Sequence, residues 1–312
     1  MTLAYLDKVL GVLRGVELLY FSYAVLLYFV MTALYALRLQ IILLRLGIRI
    51  SFFDSFVANQ LSVAFNNLTP SFRVVGEGAR AGYVYLRVGG RLIGVLAAIV
   101  FDKIVEALPL VTLAVIVLPE SLSTTSSTIY TFLAIGISIA GIVVAILYWD
   151  RVVNWLIEKA RKRGYHVEVS GLERRALESL MRDKLLVAIG ISISFAAWLV
   201  LALRLYLVAL SIGWEVKFYD AVLLTVAYTV INIFTITPGG VGVIEASLTG
   251  LFMALGAPAD KALAASLVER LISYGIGTAA GIVLGLITGG WELWRRMRRR
   301  PREAQGKGEA HS

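Results

Sequence analysis

Cysteine is absent from the 312 residues, and histidine occurs only at His166 and His311. Disulfides, thiolate metal sites, cysteine nucleophiles and histidine-based metal clusters are therefore excluded. No Asp-x-Asp pair, histidine base or glycine-rich nucleotide loop is found, so no metal and no cofactor is expected. Proline is limited to six residues and charge to 16% of the chain, against 59% hydrophobic residues. The mean hydropathy of +0.81 follows from that imbalance. Apolar runs near the ~20 residues needed to cross a bilayer recur along the whole chain, which defines a polytopic membrane protein of the cell membrane. The first fifteen residues carry Asp7, Lys8 and Arg14 without a cleavage pattern, so no signal peptide is expected. The net charge of +9 gathers in loops and at the C-terminus. Bases beside a membrane follow positive-inside topology and anionic headgroups, and nucleic acid is not the expected partner.

In chain order, residues 1–15 form an amphipathic N-terminal segment and 16–149 a first membrane half. Residues 150–184 form a basic amphipathic insert, 185–290 a second membrane half, and 291–312 a basic tail. A first span at 16–37 precedes a basic loop with Arg38, Arg45 and Arg49. Two short apolar arms follow, 52–69 and 72–88, broken at Thr69-Pro70. The second carries Arg73, Glu77, Arg80 and Arg87 and cannot face lipid. A long span at 91–118 holds Asp102, Lys103 and Glu106, and another covers 128–149. After the insert come a span at 185–211, a second broken pair at 218–236 and 240–256, and a last span at 261–289. In that span Gly277, Gly281, Gly285 and Gly289 share one face, where small residues permit close helix packing. Placing the insert and the tail in the cytoplasm leaves only Lys217 and Lys261 as bases in the opposite loops.

The halves repeat, with repeat 1 at about 37–118 and repeat 2 at about 203–289. Leu37-Arg38-Leu39 matches Leu203-Arg204-Leu205, and Gly47 matches Gly213. Phe52-Phe53-Asp54 matches Phe218-Tyr219-Asp220. Thr69-Pro70 followed by Glu77 matches Thr237-Pro238 followed by Glu245, and Asp102-Lys103 matches Glu269-Arg270. The matches are ordered, at an offset of 166 to 168 residues. Combined with the charge topology they predict an all-α fold of two inverted-topology repeats, each a Pro-broken helix pair plus a long transmembrane helix. The arms are short enough for re-entrant hairpins; full spans with a kink give the same parity.

Glu77, Asp102, Lys103, Glu245, Glu269 and Arg270 fall inside embedded segments. At on the order of 3 kcal/mol each, six such residues facing lipid would cost roughly 18 kcal/mol, more than a typical folding stability. They must meet one another or a wet cavity. Either they are mutually satisfied structural pairs, or Arg80, Lys103 and Arg270 receive an anionic headgroup while the carboxylates balance them. Asn66, Asn67 and Asn232 offer neutral hydrogen bonds at the breaks beside Pro70 and Pro238. The run Gly239-Gly240-Val241-Gly242 opens a new helix whose N–H groups are expected to be free for a phosphate oxygen.

The segment Thr237-Pro238-Gly239-Gly240-Val241-Gly242-Val243-Ile244-Glu245, followed by Val268-Glu269-Arg270, resembles the lysylphosphatidylglycerol synthase transmembrane region, a flippase-like membrane family. Asn67-Leu68-Thr69-Pro70 through Gly76-Glu77 and Arg80, then Asp102, is similar to that family's other signature. The resemblance covers about residues 16–290. It implies movement of an aminoacylated phospholipid or a polyprenyl-phosphate-linked sugar between leaflets, in some relatives beside a separate transferase. No soluble catalytic domain follows the last span, so synthase activity is not expected. The leading expectation is a lipid translocase. The alternatives are a lipid-modifying membrane transferase, a partner subunit of a glycosyl or aminoacyl transferase, and a small-solute transporter.

Overall fold

The computed structural model describes residues 2–70, 74–89, 92–121, 172–235 and 237–289, and every regular element among them is helical. The span expected at 128–149, most of the 150–184 insert, Arg73 and the tail at 291–312 lie outside these residues. In chain order the helices are α1 (Thr2–Arg14), α2 (Leu18–Arg45), α3 (Phe52–Leu68), α4 (Val74–Val88) and α5 (Leu92–Ser121). After the insert come α6 (Leu172–Arg182), α7 (Lys184–Ser211), α8 (Phe218–Phe234), α9 (Val243–Ala254), α10 (Ala259–Arg270) and α11 (Gly277–Ile287). A single 3₁₀ turn, Pro238–Gly240, precedes α9, and a π-helical segment, Leu271–Ile276, joins α10 to α11.

Helix α2 extends beyond the span expected at 16–37. It runs through Arg38 to Arg45 instead of stopping at Leu37, so Arg38 lies within a helix and is buried. What ends α2 is Gly47, whose positive φ of 70° closes a turn in which Gly47 N–H reaches the Leu44 carbonyl and Ile48 N–H that of Leu43. Gly213, φ 66°, closes α7 with the same pair of bonds, from Gly213 to Leu210 and Trp214 to Ala209. Both helices are 28 residues long, and α3 and α8 both 17.

Helices α2 and α7 pack against each other at the centre, α3 against α4 and α11, and α5 against α7 and α8. One apolar core gathers Leu205, Leu224, Leu248 and Phe252 of the second half with Tyr28 and Leu110 of the first. The other gathers Leu39, Val57, Val84 and Phe101 of the first half with Leu186 of the second. Each half-core is thus completed by a helix of the other half. Outside, Leu18, Leu26, Leu37 and Leu44 of α2 and Ile282, Leu286 and Ile287 of α11 are exposed. Buried ions inside and exposed leucines outside suit hydrocarbon surroundings. Leu18–Arg45, Lys184–Ser211 and Ala259–Ile287 are long and apolar enough to cross a membrane.

The glycine face of the last helix is a packing surface. A Cβ at Gly281 would run into the Gln60 carbonyl of α3, and one at Gly285 into Leu61. Close approach of α3 and α11 depends on their absence.

Candidate functional site

Two chain breaks meet beside the central helices. The first follows α3, which ends at Leu68 with Thr69 held extended ahead of Pro70. Asn66 Oδ1 accepts from Gly76 N–H at 2.9 Å and holds the two arms together. The second is the Pro238–Gly240 turn, where Gly239 has φ 57°, a region side chains rarely adopt. A Cβ there would also strike the Tyr274 ring and the Asn67 carbonyl, so the first break lies directly against the second. Asn67 Nδ2 donates across the same seam to Thr278 Oγ1 at 2.9 Å and to the Ser273 carbonyl at 3.3 Å.

The glycine run differs from its expectation. Gly240 N–H donates to the Thr237 carbonyl, Val241 N–H to that of Pro238, and Gly242 N–H to Glu245 Oε2 at 2.7 Å. Three of the four N–H groups in the run therefore close the turn and cap α9.

In the first half six charges form one network. Asp102, fully buried, accepts from Arg38 Nε at 2.5 Å and from Arg80 Nη2 at 2.8 Å. Glu106 Oε2 accepts from Arg38 Nη2 and Lys103 Nζ, both at 3.0 Å. Glu77 meets Lys103 at 3.1 Å and Arg80 at 3.2 Å. Three bases therefore face three acids. A buried charge is tolerated when paired and hydrogen-bonded on this scale.

The second half repeats two of these contacts. Arg204 Nη2 donates to the fully buried Glu269 at 2.5 Å, as Arg38 does to Asp102. Arg270 Nε donates to Glu245 Oε1 at 2.6 Å, as Lys103 does to Glu77, and its Nη2 reaches the Gly239 carbonyl at 2.7 Å. The halves are also tied crosswise. Arg38 Nη1 donates to Ser194 Oγ at 2.6 Å, and Arg204 lies over the Tyr28 ring at 5.6 Å.

Between these networks lies a cavity of about 600 Å³, lined by residues of α2, α3, α4, α5, α7, α8, α9 and α10 and of the Pro238–Gly240 turn. Of the residues singled out from sequence, Asn66, Asn67, Glu77, Arg80, Asp102 and Lys103 line it from the first half. Asn232, Gly239, Gly240 and Arg270 line it from the second. Pro70, Pro238, Gly242, Glu245 and Glu269 do not line it. Glu245 and Glu269 act one layer back, each holding an arginine that does. Arg38, Glu106, Trp198, Arg204 and Ser273 line the cavity without having been singled out as site residues. Among the lining bases Lys103 is the most exposed, with a side chain 47% accessible. Among the described residues no cluster of three His, Cys, Asp or Glu side chains is arranged to hold a metal ion.

An apolar, all-helical bundle around a charged cavity defines an integral membrane protein with a polar interior site. The chain matches the family described as the lysylphosphatidylglycerol synthase TM region over residues 2–281, and it belongs to that family. It is 27% identical over 290 residues to a UPF0104 membrane protein of Methanothermobacter thermautotrophicus, covering 86% of each chain. It is 23% identical over 306 residues to a UPF0104 membrane protein of Pyrococcus horikoshii, covering 91% of each.

Proposed function

We propose that this protein is a lipid translocase, in which the cavity passes a charged headgroup between leaflets while the acyl or polyprenyl tails stay in the bilayer. The observation that carries the reading is the cavity itself: a chamber into which both halves bring charged side chains, in a chain whose outer face is apolar. Its volume of about 600 Å³ falls in the range that binds small molecules. A phospholipid or polyprenyl-phosphate headgroup would meet Lys103, Arg270 and Arg80, with Asn66, Asn67 and Asn232 as neutral partners.

The halves are read as inverted repeats. Ser194 stands ten residues before Arg204, and Tyr28 ten before Arg38. Arg38 contacts Ser194, and Arg204 contacts Tyr28. Such reciprocity is what a two-fold axis between oppositely directed helices produces, and it supports an inverted relation of α2 and α7. The arms α4 and α9 have 15 and 12 residues, about 22 and 18 Å of helix, short of the ~30 Å hydrocarbon core. Those lengths support re-entrant hairpins whose breaks meet within the membrane, an arrangement found around substrate sites of transporters with inverted repeats. The bases of the 150–184 insert and the tail support a cytoplasmic position for both under the positive-inside rule.

The reading is tested with the purified chain in proteoliposomes containing headgroup-labelled lipid. Protein-dependent exposure of inner-leaflet label to an impermeant quencher is expected. If no phospholipid or polyprenyl-phosphate lipid changes leaflet faster than in empty vesicles, the reading fails.

A further inference from the structure

The two halves of the charge network differ at one telling position. Three residues after Lys103 stands Glu106, and three after Arg270 stands Ser273. In the first half the Glu106 carboxylate bridges Arg38 Nη2 and Lys103 Nζ, so Arg38 uses all three of its guanidinium nitrogens. In the second half the corresponding bases are Arg204 and Arg270, and among the described residues no carboxylate bridges them. Arg204 is 2% exposed, yet its Nε and Nη1 have no hydrogen-bond partner, and neither do the buried Ser273 Oγ and Glu269 Oε2; among the described residues the first half leaves one guanidinium nitrogen so, Arg80 Nε. Arg204, Arg270 and Ser273 all line the cavity. An unpartnered buried donor costs on the order of 1–3 kcal/mol, so two on one arginine mark a place that a ligand completes.

We propose that Arg204, Arg270 and Ser273 form an oxyanion subsite in which a ligand takes the place that the Glu106 carboxylate holds in the first half. The subsite rests on the translocase reading only for its role, since the headgroup passing through the cavity would be what fills it. The chemistry points to a singly charged tetrahedral oxyanion, a phosphodiester. Arg204 and Arg270 are already balanced by Glu269 and Glu245. The ligand is therefore held by open N–H donors and not by surplus charge, and a dianion would leave more charge uncompensated in a low-dielectric site than a monoanion. The first-half network, with every carboxylate engaged, is in this view the fixed wall of the cavity.

The test is isothermal titration of the full-length chain in detergent. The probes are dihexanoylphosphatidylglycerol, the chainless diester glycerophosphoglycerol, and inorganic phosphate. The wild type is expected to bind both diesters, the lipid more tightly, and inorganic phosphate about tenfold more weakly or worse. Equal binding of inorganic phosphate overturns the assignment to a diester, and equal binding of the two diesters overturns a lipid source. Ser273→Glu supplies the missing carboxylate from within. It is expected to weaken lipid binding by about tenfold or more while the unfolding temperature holds or rises. Ser273→Gln, equal to Glu in size but uncharged, should weaken lipid binding less than Ser273→Glu does and so separates added charge from added bulk. Arg204→Lys keeps the charge facing Glu269 but removes the open guanidinium donors, and should also cost about tenfold. It decides the matter if Ser273→Glu does not fold. Wild-type affinity in both Ser273→Glu and Arg204→Lys would overturn the subsite. Binding that responds to these variants in a protein that moves no lipid would leave the subsite standing and remove the translocase reading. Lipid movement with unresponsive binding would do the opposite.

Discussion

Arg38 donates from Nη1 to Ser194 Oγ at 2.6 Å, joining a base of the first half to the central helix of the second. The same guanidinium holds Asp102 and Glu106, so one side chain ties α2 to α5 and to α7. Removing it leaves Asp102 buried with Arg80 as its one remaining base.

Arg38→Met is therefore expected to destabilise the fold by about 3–5 kcal/mol, because a buried charge loses a partner. Ser194→Ala removes a neutral hydroxyl, the acceptor of Arg38 Nη1 and the donor to the Gly190 carbonyl, and should cost about 1–2 kcal/mol. Denaturant or thermal unfolding in detergent checks both. Equal, small effects would mean that the network does not hold the halves together.

For Arg204 and Glu269 the sign of a double substitution is informative. Arg204→Met alone strands a fully buried carboxylate and should cost about 3–5 kcal/mol. Adding Glu269→Leu removes the stranded charge, and most of that loss should return. A double variant no more stable than the single one would show that Glu269 was not paired with Arg204.

These two pairs also mark where the sequence stopped being readable. Both breaks were legible, because Pro70 and the Pro238-Gly239-Gly240 run interrupt apolar stretches that otherwise read as helix. The embedded acids and bases were legible too, since hydrocarbon forbids unpaired charge. Arg38 was not. A base after a long apolar run reads as the end of a span, and its partner Asp102 lies 64 residues away. The available signal was the duplication: Leu-Arg-Leu recurs at 37–39 and 203–205, each with an acid-base pair downstream. Two embedded acids at matched positions call for two matched bases. The glycine run was legible only in part, because Glu245 caps Gly242 from within the same helix turn. The cavity, made by residues from both halves, has no signature in any one segment.

Gly281→Val should destabilise by about 1–3 kcal/mol, since its side chain would be forced against the Gln60 carbonyl. Gly250, which has open space around its Cα, is the control, and Gly250→Ala should not destabilise the protein. Unfolding temperatures of the two variants make the comparison. Equal losses would remove the close α3–α11 contact as the cause.

The absence of cysteine makes orientation directly measurable. Arg49 and Glu215 are exposed and follow α2 and α7 at matched positions. If the repeats are inverted, Arg49→Cys and Glu215→Cys react with an impermeant maleimide from opposite sides of the membrane. Labelling of both from one side would exclude the inverted arrangement.

The most direct test of the account is the initial rate at which labelled lipid crosses vesicles holding the wild type, Lys103→Ala, Arg270→Ala or Glu245→Gln. Lys103 and Arg270 line the cavity and Glu245 holds Arg270. Each variant is expected to fold and to lose about tenfold or more in rate. Wild-type rates in all three, from correctly folded protein, would contradict the claim that the charged cavity is the headgroup path.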